Sequence, residues 1–128
     1  MEKQSCYPID CPRKQVVKSP CMSDFIVVFV TVGSADEGDR LARALVEGRF
    51  AACVNRLKAV QSIYRWQGKI EYSEEELLIV KTRRDLFERV KEKIQQLHSY
   101  QVPEIVASPI IEGSESYLRW LEEELSGS

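Results

Sequence analysis

The sequence has a single histidine, His98, and no excess of either charge. Lys and Arg number 18 against 20 Asp and Glu, for a formal net charge of −2. With one histidine, no Ser–His–Asp or Cys–His grouping for nucleophilic catalysis is recognisable. Without surplus positive charge to neutralise phosphates, no dedicated nucleic-acid binder is expected. The composition therefore argues against both of these function classes.

Long hydrophobic runs are also absent. The longest apolar stretch, residues 25–32, is far shorter than the roughly 20 residues that a membrane-spanning helix needs. No membrane span is therefore predicted. The hydrophobic fraction of 44% over 128 residues is that of an ordinary globular chain holding one domain.

Cysteines are few, and most lie outside the periodic part of the sequence. Cys6, Cys11 and Cys21 fall in a proline-containing segment without sustained periodicity, whereas Cys53 lies within the patterned region. The spacings of the first three match no common zinc or iron–sulfur pattern, and no histidine is near them. We interpret residues 1–22 as a flexible N-terminal extension and residues 23–128 as the domain. With no apolar secretory segment at the N-terminus, a cytoplasmic location is expected.

Within the domain, strand patterns alternate with helix patterns. Residues 25–32 form a continuous β-branched and aromatic run, and Ser34 with Glu37 forms a capping box for a helix that ends at Gly48. The later predicted elements are strands at 51–57 and 76–82, a hairpin over 60–72, a helix at 85–98, a strand at 105–111 and a terminal helix after Ser114, with Tyr117, Trp120 and Leu121 on one stripe.

This order, β-α-β-β-α-β with one further helix, predicts an α+β ferredoxin-like sandwich with a C-terminal helix added. Both main helices of that fold cover one face of the sheet, so the other face carries no helix. Aromatic side chains such as Tyr64 and Trp66 would be exposed there in a monomer. We therefore expect a homo-oligomer whose sheets pack against one another.

Five blocks in this order resemble the CutA divalent-cation tolerance family. They read FAACVN at 50–55, SIYRWQGKI at 62–70, LIVKTR at 78–83, HSYQVPEI at 98–105 and YLRW at 117–120. The resemblance implies a ferredoxin-like homotrimer related in architecture to PII-type signalling proteins. It also implies tolerance of divalent cations and copper binding, without an established catalytic reaction.

Two residues in these blocks are candidate metal ligands. The Cys53 thiolate suits copper or a similar soft metal, and the His98 imidazole is a common ligand of divalent metals. Each has a structural alternative: Cys53 as a buried small apolar residue, and His98 as a hydrogen-bonding residue at a helix C-terminus. Val30 stands where some family members have a further cysteine, and Ser99 replaces the proline of the usual His-Pro-Tyr, which is expected to loosen that turn. A complete site would then draw on neighbouring subunits.

A second group is expected at a ligand cleft or at the subunit interface. It comprises Tyr64, Trp66, Lys81, Glu71, Glu104 and Trp120. Lys81 lies in a strand that looks buried, so we predict that it pairs with Glu104 or with Glu71 of the same or a neighbouring chain.

The sequence leaves three functions open. The first is a non-catalytic trimeric metal-binding protein of cation tolerance. The second is a PII-like signalling trimer that binds a small anionic ligand at the subunit clefts, although no glycine-rich phosphate loop is present to favour a nucleotide. The third is an assembly scaffold in which residues 1–22 bind a partner.

Overall fold

The computed structural model describes residues 24–126, so the predicted extension, residues 1–22, lies outside it. The elements are β1 (Phe25–Val32), α1 (Ala35–Glu47), β2 (Cys53–Trp66), β3 (Lys69–Arg83), a 3₁₀ turn (Arg84–Leu86), α2 (Phe87–Leu97), β4 (Ile105–Pro109) and α3 (Glu115–Ser126). This order confirms the predicted β-α-β-β-α-β unit with its added C-terminal helix.

The four strands form one antiparallel sheet in the order β2-β3-β1-β4. Strand β1 is central because it pairs with β3 on one side and β4 on the other. Because side chains alternate along a strand, Ile26, Val28, Val30 and Val32 share one face. They are buried together with Leu41 and Leu45 of α1 and Val90 and Ile94 of α2. Full burial of each such side chain contributes roughly 1.5–3 kcal/mol.

Strands β2 and β3 are longer than the sequence indicated. The predicted segments 51–57, 60–72 and 76–82 are parts of one hairpin, whose strands have 14 and 15 residues. A β-bulge lies between Leu57 and Val60, and Ala59 has a positive φ of 60°. The bulge interrupts the side-chain alternation without ending the strand, which is why the pattern read as separate strands. The predicted turn at Gln67 and Gly68 is confirmed.

The remaining face of the sheet is called here the open face. By register it comprises Val27, Phe29 and Thr31 of β1, Leu77, Ile79 and Lys81 of β3, Cys53, Asn55 and Leu57 of β2, and Val106 and Ser108 of β4. Helix α3 covers one end of this face through Leu118 and Leu121, which pack on Phe25. The expectation that no helix lies on the second face is therefore wrong at that end.

The buried stripe of α3 also differs from the prediction. Leu118, Leu121 and Leu125 are buried, whereas Tyr117 and Trp120 are each 40% exposed. These leucines recur at spacings of three and four residues on one face of the helix, and Leu118 and Leu121 pack on Phe25. The two aromatic rings stay at the surface, where they contact one another with centroids 5.6 Å apart.

Replacing Gly38 by alanine tests how tightly α1 packs on the sheet. Gly38 is buried in the first turn of α1, and a Cβ there would overlap the buried carboxylate of Glu76, which Arg56 holds by two hydrogen bonds. Gly-to-Ala changes inside helices usually stabilise by up to about 1 kcal/mol. Here we expect Gly38→Ala to lower the free energy of unfolding by about 1–3 kcal/mol through overpacking, measured by urea denaturation. Arg40→Ala, at an exposed position of the same helix, is the control; stabilisation by Gly38→Ala would contradict this packing.

Candidate functional site

His98 is a fully buried hydrogen-bonded residue at the end of α2. Its backbone N–H donates to the Ile94 carbonyl at 2.8 Å, and its Nε2 lies 2.7 Å from the carbonyl oxygen of Thr31. Because a carbonyl only accepts, Nε2 carries the proton, and Nδ1 accepts from the N–H of Tyr100 at 3.0 Å. Both ring nitrogens are therefore engaged, an arrangement that favours the structural alternative for His98.

Glu37 joins this histidine to the start of α1. Ser34 caps the helix as predicted, its hydroxyl accepting from the N–H of Glu37 at 3.2 Å. The carboxylate of Glu37 does not complete a capping box; it is buried and accepts from the N–H and hydroxyl of Ser99 at 2.7 and 3.1 Å. A proline at position 99 would offer neither donor. The expectation that Ser99 loosens this turn is therefore wrong, because Ser99 ties the turn to α1.

The next residue, Tyr100, contacts the part of β3 that extends beyond β1. The last β1 pair joins Val32 to Glu76, and the hydroxyl of Tyr100 donates to Glu75, one residue further along, at 2.8 Å. Glu75 is only 8% exposed. Burial, the hydrogen bond to Glu75 and its negative charge all raise the pKa of Tyr100 above its ordinary value. The phenol therefore stays protonated and remains a donor at neutral pH.

A cleft of about 650 Å³ opens beside this contact, between the β2 strand and the loop that precedes β4. Its chemistry comes from Tyr64, Trp66, Glu75, Tyr100 and Glu104. The volume is typical of a small-molecule site. Aromatic rings and carboxylates thus meet in one concave surface.

This cleft unites three of the sequence-predicted residues and adds two that the sequence did not indicate. Tyr64, Trp66 and Glu104 line it, and their role in a ligand cleft or at a subunit interface stays a prediction. Glu75 and Tyr100 were missed, although Tyr100 lies within the block at 98–105. Glu75 and Tyr100 lie on either side of the end of β1. The register of the strands brings them together, and no local sequence pattern indicates that contact.

Lys81, Trp120 and Glu71 lie outside the cleft lining. The ammonium of Lys81 lies 5.8 Å from the centroid of the Tyr117 ring, which in turn contacts Trp120. Glu71 is paired with Tyr64 across the hairpin.

The predicted ion pair of Lys81 with Glu104 or Glu71 does not form within residues 24–126. Lys81 instead rests beside an aromatic face, which provides a cation–π contact. Its pairing with a carboxylate of a neighbouring chain stays a prediction.

Cys53 is a free, partly exposed thiol on the open face. Its sulfur lies 4.0 Å from the Asn55 side-chain oxygen. Across the sheet, Cys53 of β2 is opposite Lys81 of β3, which is opposite Val27 of β1. His98 is bonded to Thr31, four residues further along β1, or roughly 13 Å in an extended strand. Within one subunit, the two predicted metal ligands are therefore apart.

The donor set for a metal is incomplete in a single subunit. No group of three or more His, Cys, Asp or Glu side chains in residues 24–126 is arranged to hold a metal ion. His98 would have to give up a hydrogen bond to coordinate one. The residues described in one chain thus do not fit a closed metal centre on their own.

Fold and site together define a small ferredoxin-like protein with an uncovered sheet face and a polar–aromatic cleft. A family profile described as CutA1 divalent ion tolerance protein matches residues 26–124. The chain belongs to this family.

Named relatives agree with that assignment. The chain is 52% identical over 97 residues to the divalent-cation tolerance protein CutA of Thermus thermophilus, covering 76% of this chain and 94% of that one. It is 47% identical over 96 residues to the chloroplastic protein CutA of Arabidopsis thaliana, covering 75% of this chain. That match spans about half, 53%, of the Arabidopsis protein.

Solved structures share the fold. The divalent cation tolerance protein of Thermus thermophilus aligns with a TM-score of 0.77 at 50% identity, over 78% of this chain and 97% of that one. The periplasmic divalent cation tolerance protein CutA of Archaeoglobus fulgidus aligns with a TM-score of 0.78 at 37% identity, over 80% and 99%. The ferredoxin-like fold expected from the sequence is confirmed. None of the helices between residues 24 and 126 has the length and apolar character to cross a membrane.

Substituting His98 separates its structural and metal-binding interpretations. His98→Ala removes the hydrogen-bond partner of the Thr31 carbonyl and of the Tyr100 N–H and leaves a cavity, so we expect a loss of about 2–4 kcal/mol in the free energy of unfolding. Copper affinity should stay unchanged in the folded fraction. Urea denaturation and copper titration measure the two effects, with Gln96→Ala on the exposed side of α2 as control. Unchanged stability with weakened copper binding would instead make His98 a ligand.

Proposed function

We propose that this chain is a non-catalytic homotrimer of divalent-cation tolerance that binds copper or a similar divalent ion. The observation that carries the proposal is the match of residues 26–124 to the CutA1 divalent ion tolerance family. That family is named for tolerance and not for a reaction, and the Thermus relative, of which the chain covers 94%, bears the same description.

The open face supports self-association. It presents Val27, Phe29, Leu77 and Ile79, all only partly buried, and Val106 at 53% exposure. Apolar side chains on a sheet face gain free energy when a second sheet removes them from water. Strands β2 and β4 are also sheet edges, with backbone groups able to pair with another chain. The subunit number of three follows the family resemblance.

A charge on the open face tests the trimer. We expect Val106→Glu to convert the assembly to monomer, because each subunit would bury a carboxylate without a partner. Size-exclusion chromatography with light scattering should show a fall from three times 14.7 kDa to 14.7 kDa. Val46→Glu is the matched control, since Val46 lies on α1 with 41% exposure, close to that of Val106. A wild-type chain that is monomeric at micromolar concentration would refute the trimer.

Metal binding, in this proposal, is completed between subunits. A single chain offers Cys53 on the open face but no clustered second and third ligand among residues 24–126. Thiolates are soft ligands that suit copper. Packing of open faces would bring thiols from different subunits towards one another, and His98 joins them only at the cost of its hydrogen bonds.

Copper titration of the intact chain under anaerobic conditions tests this arrangement. We expect Cys53→Ala to weaken binding by at least about tenfold, the equivalent of one lost ligand worth about 1.4 kcal/mol or more. Replacing Cys6, Cys11 and Cys21 together by serine is the matched control and should leave the affinity unchanged. If only that triple substitution abolishes binding, the N-terminal thiols are the ligands and the assignment of Cys53 is wrong.

The cytoplasm is our proposed compartment because it keeps the free Cys53 thiol reduced. Relatives are named for other compartments, chloroplastic in Arabidopsis and periplasmic in Archaeoglobus. Fractionation of cells carrying the tagged chain tests this point.

The cleft favours a second candidate function, binding of a small ligand as expected for a PII-like trimer. Its described lining contains Glu75 and Glu104 but neither Lys nor Arg. An anionic ligand would therefore meet like charge there, which disfavours the anion expected for a PII-like trimer.

A further inference from the structure

Glu75 differs from the other buried acids within residues 24–126 in lacking a basic or multiple-donor partner. Glu37 accepts two hydrogen bonds from Ser99, and Glu76 is held by Arg56. Glu75, at 8% exposure, receives one hydrogen bond from Tyr100, and no Lys or Arg of residues 24–126 forms an ion pair with it. A carboxylate has about four acceptor sites, so most of its capacity is unused.

This unused capacity is directed to the cleft. Glu75 lines the cleft, and burying a carboxylate costs free energy unless a cation or several donors compensate. The raised pKa of Tyr100 keeps its hydroxyl as the donor to one oxygen of Glu75, which leaves the other oxygen available. Glu104 adds a second negative group to the same lining.

The other walls of the cleft are suited to an organic cation. Tyr64 and Trp66 are 43% and 42% exposed and line the cleft with Tyr100. Aromatic faces attract ammonium groups, including quaternary ones, by cation–π interaction. A volume of about 650 Å³ exceeds what a bare metal ion needs, and the lining offers no group of three metal-binding side chains.

We propose that this cleft binds a small organic ammonium ion, with its positive charge beside Glu75 and Glu104 and its alkyl groups against Tyr64 and Trp66. This inference does not rest on the metal proposal, because Cys53 lies towards the opposite end of the sheet. The ligand class is also opposite in charge to the anion expected for a PII-like trimer.

Isothermal titration calorimetry of the full chain, in phosphate buffer without amine buffers, tests the proposal with choline. The matched uncharged probe is 3,3-dimethylbutan-1-ol, which has the same shape with carbon in place of nitrogen. We expect choline to bind at least about tenfold more tightly than the alcohol, since the cation–π and carboxylate interactions act only on the charge.

Two substitutions locate the site. Glu75→Gln keeps an acceptor for the Tyr100 hydroxyl while removing the charge, and should weaken choline binding at least about tenfold. Glu104→Gln, at an exposed position, should weaken it by a smaller factor and serves if Glu75→Gln does not fold. Glu123→Gln, on the exposed side of α3, is the control and should leave choline affinity unchanged.

Equal binding of choline and the alcohol, no binding of either, or unchanged choline affinity in both Glu75→Gln and Glu104→Gln would overturn the proposal. A loss of trimer mass in Glu75→Gln with no choline binding to the wild type would also overturn it, because a basic side chain of a second copy would then occupy the cleft. Copper affinity is also measured in these variants and in Cys53→Ala. A loss of copper binding in Glu75→Gln would make the cleft a metal site and overturn the proposal. A loss in Cys53→Ala alone would show that the metal and the ammonium ion bind at separate sites.

Discussion

The difference in length between β1 and β3 is the constraint on which the candidate site depends. Strand β1 has eight residues and β3 has 15, and β1 pairs only with residues 76–83 of β3. Residues 69–75 of β3 therefore have no neighbouring strand on the side where β1 would continue, and this space beside them is called the lane. The chain that follows α2 enters this lane, and Tyr100 closes its near end by bonding to Glu75. The remaining space is the cleft. A longer β1 would have paired with residues 69–75 of β3 and filled this space. The cleft therefore exists because β3 extends beyond the end of β1.

Three buried carboxylates hold the surroundings of this lane, and each is compensated differently. Glu76 is held by Arg56, whose pKa the hydrogen bond raises. Arg56 also donates to Asp39 and to the Ala35 carbonyl of α1, and so anchors α1 to the sheet. Glu37 accepts from Ser99 and lies beside His98, which fixes the direction in which the chain leaves α2. Since an uncompensated buried charge costs several kcal/mol, these contacts define geometry as much as they add stability. Of the three carboxylates, Glu75 accepts one hydrogen bond, from Tyr100, and forms no ion pair within residues 24–126. A ligand that supplied the missing positive charge would complete the pattern.

The sequence pattern predicted the features that depend on residues close to one another in the chain. Residues 25–32 were predicted as a strand because β-branched and aromatic side chains form a continuous run there, and Ser34 caps α1 because its hydroxyl is within reach of the first free N–H groups. Contacts between distant residues were not readable. Glu37 looked like half of a capping box, yet its carboxylate meets Ser99, 62 residues away. The bulge at Ala59 looked like a strand end, because alternation fails there while the hydrogen-bonded pairing resumes. In the site, Tyr64, Trp66 and Glu104 were found by type, whereas Glu75 required the register.

The two regions that carry the proposals lie towards opposite ends of one sheet, and this separation has a physical consequence. Cys53 and Lys81 stand beside the start of β1, while the cleft stands beyond its end. The four residue steps from Val27 to Thr31 span roughly 13 Å, more than a Debye length at physiological salt. Salt therefore screens most of the interaction between charges at the two ends wherever these charges are exposed to solvent. The proposed trimer packing through the open face would be common to both regions, because it would gather the thiols of several chains and also border the cleft along the long hairpin. In the proposed trimer, the subunit interface would connect a bound metal with a cleft ligand, because it borders both regions.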